Sequence, residues 1–578
     1  MLHLLATEVA GTDAGSSALD QFLAGYDLLA KVQAERPGEI DRLFTLPQVG
    51  AWAHGCLTRL DRGLAPDYGY LASLAAAAAT SAGVGFELGV ELLDERVRFP
   101  GRGHLTVRPA VGSGVAGAVA PDEEPKSPAW LSSDGECLTV GHSVPLRCDA
   151  LLPADPEEAE DGPAEPTHRW SGTPLIRATA GTHRWEVLLE SADGHLNQLF
   201  RSPVAVLTAG EVGRWRERIE DAWRVLARQG RWPLDAFADV VSVIVPLAGD
   251  CADDDDFVSS THPGAFGAIA TSLPPDPVVM AETLIHEFQH LTLSALLDMV
   301  PLVAPGGGRA MGYAAWRPDP RPVGGLLQGL YAHLAVARFW DAQRRLEADP
   351  DDQLRAQVLY ERWRRTIEPT ADALLGMSDC LTPDGVQFVA TLKDQGRLLE
   401  SESVPFGVRE IAEEIALDHW LTWQVRHLEL DSAAIEKTAA AFLDGDSAER
   451  ESLPAGRVEA DARQVTPAAL GRMLSMRHFE PRRFGELRAA GELVLSQADG
   501  LLIDRKAGQA SEAYREEILA SADPRPQSWV GLAIAASRVA PPLRTAFSTR
   551  LPLMFEVHRY LASQGVPSDP MDLADWLA

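Results

Sequence analysis

The residues best suited to chemistry lie in one stretch, residues 276–300, which reads DPVVMAETLIHEFQHLTLSALLDMV. Within it His286, Glu287 and His290 form an HExxH motif. Four residues is close to one helical turn, so on a helix both imidazoles face one side and can meet a single metal ion. Glu287 projects beside them, where a carboxylate can handle a proton. The flanking residues predict that helix. Asp276 suits the N-cap and Pro277 the first turn. Val278, Leu284, Ile285, Phe288, Leu291, Ala295 and Met299 recur at helical spacing, and Pro301 ends the pattern. A short motif with three fixed residues also arises by chance, and histidines satisfied by hydrogen bonds are the plain alternative. The apolar flanks weigh against it, because they would bury two imidazoles to no purpose.

The rest of the composition narrows the function class. At 578 residues the chain exceeds one ordinary core, and roughly two to four domains are expected. Hydrophobic residues make up 46% and charged residues 23%, a soluble globular balance. The net charge of −31 disfavours nucleic acid and anionic membrane as partners. Cys56, Cys137, Cys148, Cys251 and Cys380 are scattered, with no CxxC pair. They read as idle or buried thiols in a reducing compartment, not a zinc ribbon or an iron–sulfur site. The start MLHLLATEVAGTDAGSS lacks the basic and apolar segments of a signal peptide. LASLAAAAATSAGVGFELGV is broken by polar residues and reads as a packed helix running into a strand, not a membrane span. A cytoplasmic protein is expected.

Four regions are expected to position the motif. Residues 1–83 read as helical, with apolar faces over 18–36 and 47–61 and a third candidate helix over 67–82. Residues 84–206 read as strand-rich, from GFELGVELL through RVRFP, HLTVRPAV, CLTVG, PLIRATAG and HRWEVLLES to NQLFRS. Inside that region, residues 153–166 have no core-forming side chains and predict a solvated or disordered acidic insert. Residues 207–450 carry the motif. Thr208 with Glu211 predicts a capping box ahead of a helix striped by Trp215, Ile219, Trp223 and Leu226. VVSVIVPL (240–247) and residues 265–271 predict strands before the motif helix. The aspartate run 250–256 lacks the alternating spacing of a calcium loop and reads as solvated. After Pro301 a Gly/Pro-rich connection with Tyr313, Trp316, Arg317 and Arg321 is long for a loop, which favours a functional one. Helices are then expected over 325–345, 351–375, 382–399 and 408–430. Residues 451–578 read as helical, with one tetratricopeptide-like hairpin over 510–536 and no array.

Two blocks, LPPDPVVMAETLIHEFQHLTLSALLDMVPL and AAWRPDPRPVGGLLQGLYAHLAVARFW, together resemble the HExxH-motif peptide-modification family of ribosomal natural-product pathways. Its members occur alone or fused behind radical SAM peptide maturases. The resemblance is strongest over about residues 205–345 and looser on either side. The chain has no CxxxCxxC motif, so it is similar to the stand-alone form. The sequence pattern itself reads as an α+β, predominantly helical protein with a strand-rich N-terminal half and a helical C-terminal region. Around the motif, the resemblance implies a zincin-like metal-binding core. It also implies an Fe(II)- and 2-oxoglutarate-dependent oxygenase that β-hydroxylates a side chain of a ribosomally synthesised precursor peptide. A radical SAM peptide maturase of the same pathway is a further expected partner.

The residues bear on that implication in particular places. A metal with open positions needs three protein ligands. His286 and His290 supply two. His333, on the next predicted helix, is the candidate third, where zincins with a distant third ligand place theirs; a core histidine is the plain reading. The usual iron triad has a carboxylate instead, for which Asp298 and Asp341 are the less well placed candidates. The far carboxylate of 2-oxoglutarate needs a fixed cation, which Arg supplies with two parallel hydrogen bonds. Arg317 and Arg321 are the candidates, with Arg338 a third. Tyr331 and Gln328, near His333 in sequence, could hydrogen-bond the co-substrate or the peptide. Glu287 divides the hypotheses. In a zinc metallopeptidase, the alternative reading, it is the general base. In an oxygenase it orients a ligand, holds a water or fixes the substrate. A non-catalytic peptide-binding scaffold is the third reading.

Overall fold

The computed structural model describes residues 17–92, 95–107, 129–141, 145–153, 168–200, 202–249, 258–400, 402–446, 456–458, 469–521, 523–540 and 542–578. The N-terminal stretch 1–16, nearly all of the acidic insert 153–166 and the aspartate run 250–256 lie outside the described residues. The chain divides into two compact units, Met1–Ala295 and Leu296–Ala578, the division falling within the motif helix Pro277–Met299. The protein is mixed α+β and mostly helical, with its strands concentrated in the N-terminal half. No helix among the described residues is long and apolar enough to cross a membrane.

The first unit opens with a helical layer, Ser17–Glu35, Pro37–Phe44, Pro47–Asp61 and Gly69–Ala82. Proline at the first turn starts the second and third, where its missing N–H has no partner to lose. The Ala-rich fourth helix is buried along nearly its whole length. Its small side chains let Ser17–Glu35 approach until a Cβ at Gly25 would lie 3.1 Å from the Ala72 backbone. This layer covers two antiparallel sheets. One orders Phe86–Val90, Ala129–Ser133, Cys137–Val140 and Leu146–Arg147; the other orders Arg96–Phe99, Gly103–Val107 and His168–Gly172. Phe22, Trp52, Leu71, Leu74, Phe99 and Leu131 share the resulting core.

A third sheet, of five strands, carries the motif region. Its order is Ser259–Ser260, Ala268–Thr271, Val243–Pro246, His183–Leu189 and Leu175–Ala180. The two inner pairings, Val243–Pro246 with each neighbour, are parallel, and both edge pairings are antiparallel. Burial on both faces accounts for the continuous apolar runs VIVP and AIAT. The described residues of NQLFRS form no strand. Residues Gly194–Gln198 form a short helix, because the Asp193 carboxylate accepts the Leu196 N–H at 2.9 Å. Leu196 and Phe200, four apart, are then both buried against the sheet. Helix Ala209–Gln229 has the expected capping box, with Thr208 and Glu211 bonded reciprocally.

The second unit is nearly all helical. Val323–Leu346, Pro350–Gly376, Pro383–Glu400 and Phe406–His427 precede a C-terminal array that includes Ala507–Leu519, Pro526–Val539 and Leu543–Ser563. Gly531 lies so close to the Tyr514 ring that a Cβ there would sit 2.2 Å from it, which lets the two hairpin helices pack directly.

A buried polar network joins the helical layer to the five-stranded sheet. Glu190 accepts from the Ala192 and Asp193 N–H groups at 2.8 and 3.3 Å, and from Gln48 and Thr173, both at 3.4 Å. Tyr70 donates to Asp193 at 2.5 Å, and His195 meets Asp67 at 2.8 Å. Burial, with the Asp193 charge adding to it, pushes the Glu190 carboxyl up to about 7 from 4.5. Between those pH values the folded chain holds a proton that the unfolded chain has lost, so this group's contribution to stability falls as pH rises. Glu190→Gln removes that slope. Relative to wild type, the variant gains on the order of 2–3 kcal/mol as pH rises through this window, read by denaturant unfolding. Parallel stability curves for the two proteins would refute the assignment.

Candidate metal centre

The motif helix starts as its cap residue requires. The Asp276 carboxylate accepts from the Val278 and Val279 N–H groups at 2.7 and 2.9 Å. Successive residues then leave the helix in different directions. Phe288 is buried against Phe237, with ring centroids 5.1 Å apart, and Phe237 in turn packs on Trp185 and Trp223. That aromatic group forms under the helix because Trp185 and Trp223 also bond backbone carbonyls, those of Val241 and His183.

Glu287 is 2% exposed. Its Oε1 accepts the Ser259 hydroxyl at 2.7 Å, from the edge strand of the five-stranded sheet, and the Thr261 hydroxyl also donates to the carboxylate. Burial raises its pKa, opposed by the charge of His290 and by those two hydroxyls. Its Oε2 is buried and has no hydrogen-bond partner among the described residues.

His286 and His290 are half-buried, with their Nε2 atoms 3.0 Å apart and their rings at 79°. Two ligands of one tetrahedral metal, each at about 2.0–2.1 Å, would sit roughly 3.3 Å apart. The pair therefore fits a shared ion with little movement. At this separation both facing nitrogens cannot carry a hydrogen, so at least one lone pair points inward. This pair is the part of the expected ligand set that the first unit holds. Among the described residues no group of three or more His, Cys, Asp or Glu is gathered to hold an ion.

The other expected site residues belong to the second unit. His333 is buried, and its Nδ1 donates to the Gly329 carbonyl at 2.9 Å. That bond assigns the lone pair to Nε2, the tautomer of a metal-binding imidazole. Trp316 stacks on the His333 ring at 4.5 Å and 19°, and Trp363 packs against it at 4.8 Å. Arg317 and Arg321 converge on one carboxylate. Arg317 Nε donates to Asp319 Oδ1 at 3.0 Å, and Arg321 Nη1 to Asp319 Oδ2 at 3.2 Å. Burial would raise the Asp319 pKa, but the two guanidinium groups outweigh it and hold it below the usual range. Arg338 donates to Gln395 at 2.6 Å. Tyr331 packs beside Phe388, and Gln328 is half-buried. Of the substitute carboxylates, Asp298 is exposed, while Asp341 is buried and bound by Arg344 and Arg345.

The expected long connection is held by side chains along its length. Tyr313 meets His419 through its hydroxyl at 2.8 Å and packs on Trp420 and Trp423. His427 donates to the Pro318 carbonyl at 2.8 Å. Met311–Gly312 pairs with Arg321–Pro322 to close it as a small antiparallel ribbon. Burial, and secondarily Arg362, pushes the His419 pKa down to about 4, so its ring is neutral at ordinary pH. Sequence reasoning missed Ser259, Thr261, Asp319 and Trp363. A strand of two residues, such as Ser259–Ser260, has no periodicity to read.

No protein-family model matches the chain, and a search of curated proteins finds no relative.

Gly329 is what admits Trp316, since a Cβ there would sit 2.0 Å from the indole. Gly329→Ala is expected to displace Trp316 from His333 at a cost of about 1–3 kcal/mol, as for an overpacked core. The measurements are denaturant unfolding and near-ultraviolet circular dichroism. An unchanged aromatic spectrum and an unchanged midpoint would contradict the stacking.

Proposed function

We propose that this protein is a metal-dependent enzyme acting on a peptide. In its specific form it is an Fe(II)/2-oxoglutarate oxygenase that β-hydroxylates a side chain of a ribosomally made precursor peptide. The observation that carries metal dependence is the convergence of His286 and His290 on one point beside a buried carboxylate. The choice of oxidation rests on the resemblance of the two sequence blocks. A zincin-like core is consistent with a motif helix fastened to the antiparallel edge of a mixed sheet.

In this reading His286 and His290 hold the metal, and His333, assigned from sequence, is its third ligand. Iron and 2-oxoglutarate bound there would reduce dioxygen, one oxygen atom entering the peptide as the hydroxyl and the other leaving in succinate, with carbon dioxide released from the keto acid. Glu287, fastened by Ser259 and Thr261, positions a water or the peptide through Oε2 and keeps its own place in the helix. An edge strand offers backbone groups along which an extended peptide can align.

One observation favours a second reading, a zinc metallopeptidase. Oε2 of Glu287 is buried without a donor, the condition of a carboxylate ready to accept a proton from water.

The test is anaerobic reconstitution with iron, followed by mass spectrometry of a candidate precursor peptide with and without 2-oxoglutarate. The oxygenase predicts a mass gain of one oxygen atom that needs iron, 2-oxoglutarate and air together. His286→Ala abolishes it. Ser259→Ala slows it without changing the product. His333→Ala and Arg321→Met test the two assignments made from sequence, by iron stoichiometry and by 2-oxoglutarate affinity. Peptide fragments formed with zinc alone, and lost in Glu287→Gln, would overturn the oxygenase and establish the peptidase.

A further inference from the structure

A second charged side chain with a buried, unmatched atom lies elsewhere in the first unit, the half-buried Arg102. Strands Arg96–Phe99 and Gly103–Val107 are joined by a turn through Pro100, Gly101 and Arg102. Gly101 (φ +75°) and Gly103 (φ +148°) flank Arg102 in a backbone region that residues with side chains rarely adopt. A Cβ at Gly101 would meet the Leu46 side chain at 2.7 Å, and one at Gly103 the Ser171 carbonyl at 2.2 Å. The turn is therefore built to press Arg102 toward the helical layer.

The Arg102 guanidinium ends beside a pocket of about 190 Å³ whose apolar wall includes Leu43, Leu46, Ala77 and Ala78. Its Nη1 is closed off from solvent and meets no acceptor among the described residues. Burying a cation without a counter-charge is costly. Two arginines elsewhere are matched: Arg364, which is buried, pairs with Glu361 at 2.6 Å, and half-buried Arg344 pairs with Asp341 at 2.7 Å. Glu39, which acts on Arg102 through its charge, forms its ion pair with Arg42 at 3.5 Å instead. Arg42 is largely exposed and also lines the pocket. Two arginines against one glutamate leave a single positive charge to be matched.

We propose that this pocket binds a small organic monocarboxylate, its carboxylate on Arg102 and its short apolar chain against Leu43, Leu46, Ala77 and Ala78. The size agrees. At about 30 Å³ for each water's share of liquid volume, the pocket holds the equivalent of roughly six waters, the scale of a four-carbon acid. The inference is independent of the metal centre.

The experiment uses the full chain, with butyrate as probe and acetate and butyramide as controls, read by calorimetric titration and thermal unfolding. Butyrate is expected to bind once per chain, more tightly than acetate, and to raise the melting temperature, while butyramide does neither. Arg102→Met is expected to melt higher than wild type without ligand, because it removes a buried unmatched charge, and to bind butyrate at least tenfold more weakly. Arg42→Gln, at an exposed position, is expected to fold normally and weaken binding severalfold. No response of the wild type to butyrate, or an equal response to butyramide, would overturn the proposal. So would an Arg102→Met protein that melts lower and binds butyrate unchanged. A butyrate response that appears only after Asp155, Glu157 and Glu158 are made neutral would overturn it too, since the chain's own carboxylates would then be the occupant.

Discussion

The hydrogen bond from Ser259 to the buried carboxylate of Glu287 fastens the motif helix to the edge of its sheet. A carboxylate at 2% exposure would be expensive to hold bare. The Ser259 and Thr261 hydroxyls offset part of that cost, hydrogen bonds to a charged group contributing about 1.5–3 kcal/mol. The consequence is directional. Side chains on a helix leave at about 100° per residue, so fixing residue 287 fixes where 286 and 290 point. Phe288 locks the same turn from another side, into the cluster of Phe237, Trp185 and Trp223. Three consecutive residues thus serve three environments: His286 faces His290, Glu287 the sheet edge and Phe288 the core.

The second unit solves a related problem without regular structure. A Gly/Pro-rich connection cannot satisfy its own backbone through a long ladder, so it must be held by side chains. The helix Val323–Leu346 supplies a flat landing at Gly329 for Trp316. The helix Phe406–His427 supplies His419 to Tyr313 and His427 to the Pro318 carbonyl. Asp319 draws Arg317 and Arg321 together. Each guanidinium has donors beyond the one it spends on Asp319, so the trio forms a small, charged and positioned surface.

Much of the scaffold was legible in sequence because its signals are local. Thr208 with Glu211, Asp276 before Pro277, and the prolines at 37 and 47 mark helix starts by chemistry confined to a few residues. The apolar runs that became Val243–Pro246 and Ala268–Thr271 were legible as strands, since burial on both faces leaves no polar alternation. NQLFRS was misread because its apolar residues, spread over so short a segment, fit either period. The deciding signal is Asp193, a cap residue that lies just outside the run. The partners of the site were illegible for another reason. Ser259 reaches Glu287 across 28 positions of sequence, and no local pattern marks which serine will do so. The pair His286 and His290 was legible because helical geometry alone sets their separation. The place of Asp319 between two candidate co-substrate arginines depends on how the loop folds back, which composition does not encode.

Orphaned polar atoms separate structural burial from functional burial only when charge is considered. Several buried indole nitrogens, among them those of Trp423 and Trp529, lack a partner among the described residues. A neutral N–H left unpaired costs about 1–3 kcal/mol, which an aromatic core can absorb. A buried charge is harder to leave unmatched. Of the charged side chains with an orphaned atom, Glu361 and Arg364 pair with each other, Arg538 pairs with Glu414, and Arg550 makes other contacts. Glu287 and Arg102 remain. Glu287 accepts the Ser259 hydroxyl on Oε1, and its Oε2 meets no donor among the described residues. Arg102 sits between two glycines of positive φ and finds no acceptor for Nη1 among the described residues. A fold that holds such groups inward at a cost to its own stability keeps them where a ligand can complete them. By that criterion the glutamate of the motif and the arginine of the hairpin tip are the same kind of residue. The first is recognisable by its sequence neighbours, the second only by the missing partner.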